Sequence, residues 1–138
     1  MEVSEIPAWC EAFIGLPYEP GGKTRDGLDC WGLFNLVWSE QFGRPLPDYD
    51  GIMWRKGASP AEVSAGASTY CSRFAIIPDG EERVGDAIMF RMRGHPFHVA
   101  MVIAPGWMLH VEEKTDSCVA RYRSIHWETR IVNFYRYE

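Results

Sequence analysis

The sequence predicts an α+β domain in which helices come first and an antiparallel sheet follows. Two observations predict the order. Cys30, Trp31, Leu33, Phe34, Val37, Trp38 and Phe42 recur at the three-to-four spacing of a helix with a wide apolar face. From Pro78 onward, turn signals return at intervals of about ten residues, as hairpin-linked strands require. Helical patterns that precede strand patterns, rather than alternate with them, indicate α+β.

A first helix is predicted over residues 4–14. Ser4 can cap it, Pro7 is tolerated in its first turn and Gly15 ends it. Ile6, Trp9, Cys10, Phe13 and Ile14 form one stripe, which assigns Cys10 to the core. Residues 16–22 (Leu16-Pro17-Tyr18-Glu19-Pro20-Gly21-Gly22) are dense in turn formers and read as a shaped loop beside the next helix. That central helix begins after Asp29, a good N-cap, and stops at Gly43. Residues 44–51 hold two prolines and connect. Ile52-Met53-Trp54 is an apolar patch that covers the core or walls a cleft. Ser59-Pro60-Ala61-Glu62 has the form of a capping box and predicts a helix over about 60–72, with Cys71 near its end. Strands are predicted at 74–77, 87–92, 97–103, 107–111, 118–122 and 131–137, joined as an antiparallel meander. There is no internal repeat, low-complexity segment or linker, so residues 1–138 read as one domain.

Composition narrows the function classes. A chain of 138 residues can bury a real core, and 46% hydrophobic content excludes disorder. The net charge of -5 and the lack of a basic block argue against nucleic acid. No run of about 18 apolar residues predicts a membrane span. Met1-Glu2-Val3-Ser4-Glu5 lacks the charge and apolar run of a signal peptide, which points to synthesis in the cytoplasm. The four cysteines, Cys10, Cys30, Cys71 and Cys118, could pair in three ways. With no export signal, reduced thiols are favoured.

The chemistry centres on Cys30. A helix N-terminus carries partial positive charge and unpaired N–H groups, both of which stabilise a thiolate. The competing reading is a buried cysteine that merely packs. A nucleophile needs a base, and the base needs an orienting group. The meander supplies His98 at the start of an apolar strand and His110 on the strand expected to pair with it. With a turn at Pro105-Gly106 the two histidines come close to opposite one another, about 5 Å apart between β-carbons. His95 and His126 read as solvent-facing. A metal held by His95, His98, His110 and Cys30 is disfavoured, because no acidic ligand cluster accompanies them.

Pro17-Tyr18, Gly21-Gly22, Asp29-Cys30-x-Gly32, Gly85-Asp86, His98-Val99-Ala100-Met101-Val102 and Leu109-His110, in that order, resemble the NlpC-type cell-wall peptidases. The resemblance covers roughly residues 8–112. It implies a papain-like fold, with the nucleophile helix packed on a five- or six-stranded antiparallel sheet. It implies Cys30 as nucleophile, His98 as base, His110 as orienting residue and Tyr18 beside the nucleophile, with no cofactor. The implied substrate is an amide bond of a peptidoglycan stem peptide. In the family a small Ser follows the nucleophile, and the acid–Cys–Ser segment helps hold the stem peptide's free amine. Here Asp29 and Trp31 take those flanking places, and Trp31 is expected to face the groove. The Asp-Cys-Trp-Gly form is similar to the branch found in phage tails and gene-transfer particles, which implies tail proteins as partners. Two alternatives stand beside this reading: a tail structural protein with a vestigial site, and an amidase or acyltransferase on another substrate.

Overall fold

In the computed structural model, residues 6–46, 74–92, 95–113 and 115–137 are described. Ser4, the apolar patch at 52–54, the helix expected over 60–72 and Cys71 lie outside them.

Helix α1 spans Cys30–Glu40. Asp29 is extended, and its carboxylate accepts a 2.7 Å hydrogen bond from the Gly32 N–H, the N-cap geometry its sequence position predicts. Cys30, Trp31, Leu33, Phe34 and Val37 are buried along the helix. At the other end Gly43 adopts φ 66°, and the Arg44 N–H bonds the Trp38 carbonyl at 3.0 Å.

The first predicted helix differs from expectation. Its described part is a 3-10 helix over Ala8–Phe13. Winding at three residues per turn keeps Cys10 and Phe13 on one side and turns Ile14 off it. The first two are buried, while Ile14 is 44% exposed. The chain then leaves along Ser117, whose carbonyl accepts from Gly15 and whose hydroxyl accepts from Leu16.

Between the 3-10 helix and α1 lies a small hairpin that the sequence reading did not anticipate, β1 (Lys23–Thr24) with β2 (Gly27–Leu28). Gly22 is required there. A β-carbon on it would lie 2.2 Å from the Gly27 carbonyl oxygen. Tyr18 bridges to Leu28, so the turn-rich loop is zipped onto the residue just before Asp29.

The main sheet has six antiparallel strands: β3 (Phe74–Ile77), β4 (Ala87–Met92), β5 (His95–Ala104), β6 (Trp107–His110), β7 (Cys118–Arg121) and β8 (Ile131–Tyr137). The meander holds for β4 through β7. The last strand departs from it, because β8 inserts between β3 and β4. Its composition explains the central place. Phe134 and Ile131 pack on one face, while Val132, Tyr135 and Tyr137 pack on the other. A strand apolar on both sides suits a sheet covered on both faces, and β8 has a paired neighbour on each side, β3 and β4.

The sheet separates two apolar clusters. On one face α1 packs over Ala87, Met89, Val99, Met101, Ile103 and Leu109. On the other, Ile88, Phe90, Ala100, Val102, Met108 and Phe134 are covered by Tyr122 and Trp127. Gly85, with φ 97°, turns the chain into β4 beneath the Trp38 ring. Asp86 then holds Arg136 of β8 through both carboxylate oxygens, at 2.9 and 2.8 Å.

Candidate active site

Cys30 opens α1, and its residue is only 7% exposed. Its sulfur meets the backbone N–H groups of Val99, Trp31 and Cys30 itself, and these favour the thiolate. Burial outweighs them. It pushes the thiol well above its ordinary range, and the neighbouring Asp29 charge adds to the rise. The expectation that the helix start lowers the Cys30 pKa is therefore overturned. The N-terminal N–H groups are present, but the sulfur they serve has been taken out of water.

Tyr18 stands in the loop zipped to Leu28. Burial raises its phenol above the ordinary range, and the charges of Cys30, Asp29, Glu113 and Glu19 act in the same direction. Tyr18 thus carries a neutral hydroxyl group, near enough to Cys30 to feel its charge. Asp29 is wholly buried. One oxygen accepts from Gly32 and the other from Gly21, at 2.7 and 3.2 Å. It clamps the loop to the helix.

His98 and His110 meet directly. His98 Nε2 and His110 Nδ1 are 3.1 Å apart, with both residues buried. They are not opposite partners. β5 and β6 pair Met101 with Leu109 and Val102 with Met108, so His98 lies diagonal to His110 on the same face. Diagonal neighbours are within reach of long side chains, and the rings close the gap. Burial lowers both imidazoles. His98 is brought down to about 3, with the His110 charge adding to the effect, and His110 to about 4. Both are neutral near pH 7.

The structure thus forms two groups, Tyr18–Asp29–Cys30 at the helix start and His98–His110 on the sheet. Val99 joins them, since it follows His98 and its N–H faces the Cys30 sulfur.

Trp31 is corrected outright. It is 0% exposed and packs edge-to-face on Phe34 at 6.5 Å, so it belongs to the core and not to a groove. Trp38, on the same helix, is only half-buried. Its ring meets Phe42 at a tilt and Tyr137 edge-on, while Trp31 takes the interior.

Two residues of the site were missed. Trp127 stacks on His98 at 5.5 Å with an interplanar angle of 22°, and meets His110 edge-on at 5.1 Å. Its segment has no period to flag it, and a 3-10 helix follows at Glu128–Arg130. Cys118 Sγ lies 3.7 Å from His110 Nε2, across the β6–β7 pair. Only the register of that pair exposes its role. His126 is exposed, as expected, and His95 contributes its backbone to the start of β5. Among the described residues no group of three or more His, Cys, Asp or Glu is arranged to hold a metal ion.

Comparison with known proteins fits this geometry. The profile of the NlpC/P60 family matches residues 15–136. Murein DD-endopeptidase MepS/Murein LD-carboxypeptidase of Escherichia coli (strain K12) is 25% identical over 116 residues, 84% of this chain and 53% of that protein. Protein P54 of Enterococcus faecium is 26% identical over 124 residues, 90% of this chain and 20% of that protein. The chain therefore spans about half the length of the first relative and a fifth of the second. Among solved structures, an NlpC/P60 family protein from Bacillus cereus ATCC 10987 superposes with a TM-score of 0.68 at 20% identity, over 99% of this chain and 40% of that one. The NlpC/p60 domain of the peptidoglycan hydrolase SagA gives 0.61 at 21% identity, over 98% of both chains. At these identities the superpositions establish the fold, an α+β arrangement of a helix on a six-stranded antiparallel sheet.

Proposed function

The chain belongs to the NlpC/P60 family, and from that premise we propose that it is a cysteine hydrolase cleaving amide bonds in peptidoglycan stem peptides. The observation that carries the reading is the His98–His110 contact at 3.1 Å, set one residue from the Val99 N–H that faces the Cys30 sulfur. A base engaged through one ring nitrogen is oriented and keeps the other for proton transfer. The substrate class follows from the relatives, whose names describe murein and peptidoglycan hydrolysis.

The resting pair is a neutral thiol and a neutral imidazole, as the burial of both requires. His98 Nε2 is held by His110, so Nδ1 is the nitrogen that takes the Cys30 proton as sulfur attacks the carbonyl carbon. The oxyanion is steadied by the Cys30 backbone N–H and the Tyr18 hydroxyl. His98 returns its proton to the leaving amine. Water then resolves the thioester, giving up a proton to His98, and Cys30 is regenerated. Asp29 acts through the fold, by clamping loop to helix, and Trp31 acts through the core.

Attachment to a phage tail or phage-like particle rests on the Asp29-Cys30-Trp31-Gly32 form, the small size and the N-terminus without an export signal, and none of the relatives named above is named for a tail. The hydrolase reading is tested by digesting purified peptidoglycan and identifying the fragments by mass spectrometry. Wild-type protein releases cut stem peptides, and Cys30→Ser, of similar size, releases none. Equal release by the Ser variant would remove Cys30 from the role of nucleophile.

A further inference from the structure

We propose that Cys118 is a positioning residue of this site: its sulfur accepts a hydrogen bond from His110 Nε2 and thereby fixes the tautomer that leaves His98 able to act as a base. The proposal rests on the reading of Cys30 and His98 as nucleophile and base. Its geometry is independent of that reading. Cys118 and His110 are directly opposed partners in β6 and β7, so their side chains share a face. Cys118 Sγ lies 3.7 Å from His110 Nε2, and His110 Nδ1 lies 3.1 Å from His98 Nε2. The three groups form one line from the sheet edge to the base. Trp127 lies against both imidazoles and confines the rings.

A neutral imidazole has one N–H and one bare nitrogen. For His98 to accept a proton at Nδ1, its own hydrogen must sit on Nε2. That N–H donates to His110 Nδ1, which must then be bare. The His110 hydrogen is therefore on Nε2, and the group facing it is the Cys118 sulfur. The reverse arrangement, with the thiol donating into Nε2, would put a hydrogen on His110 Nδ1 and silence His98 Nδ1 as a base. A thiol is a weak donor and a weak acceptor alike, so the direction of this contact is what the tautomer of His110 reports. Partial burial and the neighbouring Glu112 charge raise the pKa of Cys118, an exposed residue on β7, so the thiol stays neutral and does not draw a second proton onto His110.

The test pairs NMR with kinetics on Cys118→Ser, which keeps an acceptor, and Cys118→Val, which removes it. In protein carrying 15N-labelled histidine, long-range proton–nitrogen spectra report which ring nitrogen is protonated. Wild type and the Ser variant are expected to hold His110 as the Nε2–H tautomer, and the Val variant to mix the two. One modest hydrogen bond is worth about 0.5–1.5 kcal/mol, so kcat of the Val variant is expected to fall about twofold to tenfold, with KM unmoved. The Ser variant should retain more of kcat than the Val variant. Wild-type tautomer and kcat in the Val variant would overturn the proposal. If that variant does not fold, an Nδ1–H tautomer of His110 in the wild-type spectrum would overturn it alone. Activity surviving in Cys30→Ser would instead overturn the nucleophile assignment, and the spectra would still decide the role of Cys118.

Discussion

Two opposing influences meet on Cys30, and their sizes decide how the resting protein behaves. The N–H groups of the helix start and of Val99 favour a thiolate, while burial and Asp29 oppose it more strongly. A thiol held in its neutral form is a poor nucleophile toward small alkylating reagents. Iodoacetamide is therefore expected to label Cys30 slowly at pH 7 in ligand-free protein, with a rate that climbs toward pH 9, as followed by peptide mass spectrometry. A rate already on its plateau below pH 7 would mean a resting thiolate–imidazolium pair. Trp31, next in the chain, gives a stability prediction. Truncating a wholly buried tryptophan removes its transfer free energy and leaves a cavity. Trp31→Ser should cost about 3–5 kcal/mol, read from urea unfolding. A cost under about 1 kcal/mol would return Trp31 to the surface.

At the scale of elements, Asp29 joins loop, hairpin and helix. Its oxygens hold the Gly32 and Gly21 N–H groups, and its charge raises the Cys30 pKa. Asp29→Ala should lower stability by about 1–3 kcal/mol through the lost cap and the stranded donors. Asp29→Asn keeps an acceptor oxygen but removes the charge. It should lose less stability and move the Cys30 labelling profile to lower pH. Matching profiles for Asn variant and wild type would show that the charge does not reach the sulfur. What was legible in the sequence follows from what is local. The start of α1 is marked by Asp29 and its apolar stripe, and strands of alternating or apolar pattern could be bounded within a few residues. The nearness of His98 and His110 was legible because one hairpin fixes it. The insertion of β8, the partnership of Cys118 with His110 and the cover of Trp127 over both imidazoles were not. Each depends on contacts made across the folded sheet. The same reason hid the direction of the Cys30 shift, since a helix start is visible in sequence and the depth at which it is buried is not.

At the scale of the whole molecule, the sheet keeps α1 on one side and a second apolar cluster on the other, with β8 contributing to both. His98 and His110 touch that second cluster through Phe90 and Trp127, which makes the site part of the fold's stability. Acid tests that link. In the unfolded chain both imidazoles titrate near pH 6.5. In the folded protein burial brings them down to about 3 and about 4. Between those limits the unfolded state binds up to two more protons than the folded state, so stability falls as pH drops. Each such proton contributes roughly 1 kcal/mol or somewhat more per pH unit, giving a slope near pH 5 of roughly 2–3 kcal/mol per unit from the pair. Above about pH 8 both states are neutral at these residues and the slope vanishes. Urea midpoints measured at pH 7, 6 and 5 should therefore shift steeply downward on the acid side. His110→Asn removes one of the two protons and should roughly halve the slope, whatever it does to stability at pH 7. An unchanged slope in that variant, or a flat profile from pH 7 to 5, would mean that the imidazoles protonate inside the folded protein near their ordinary range.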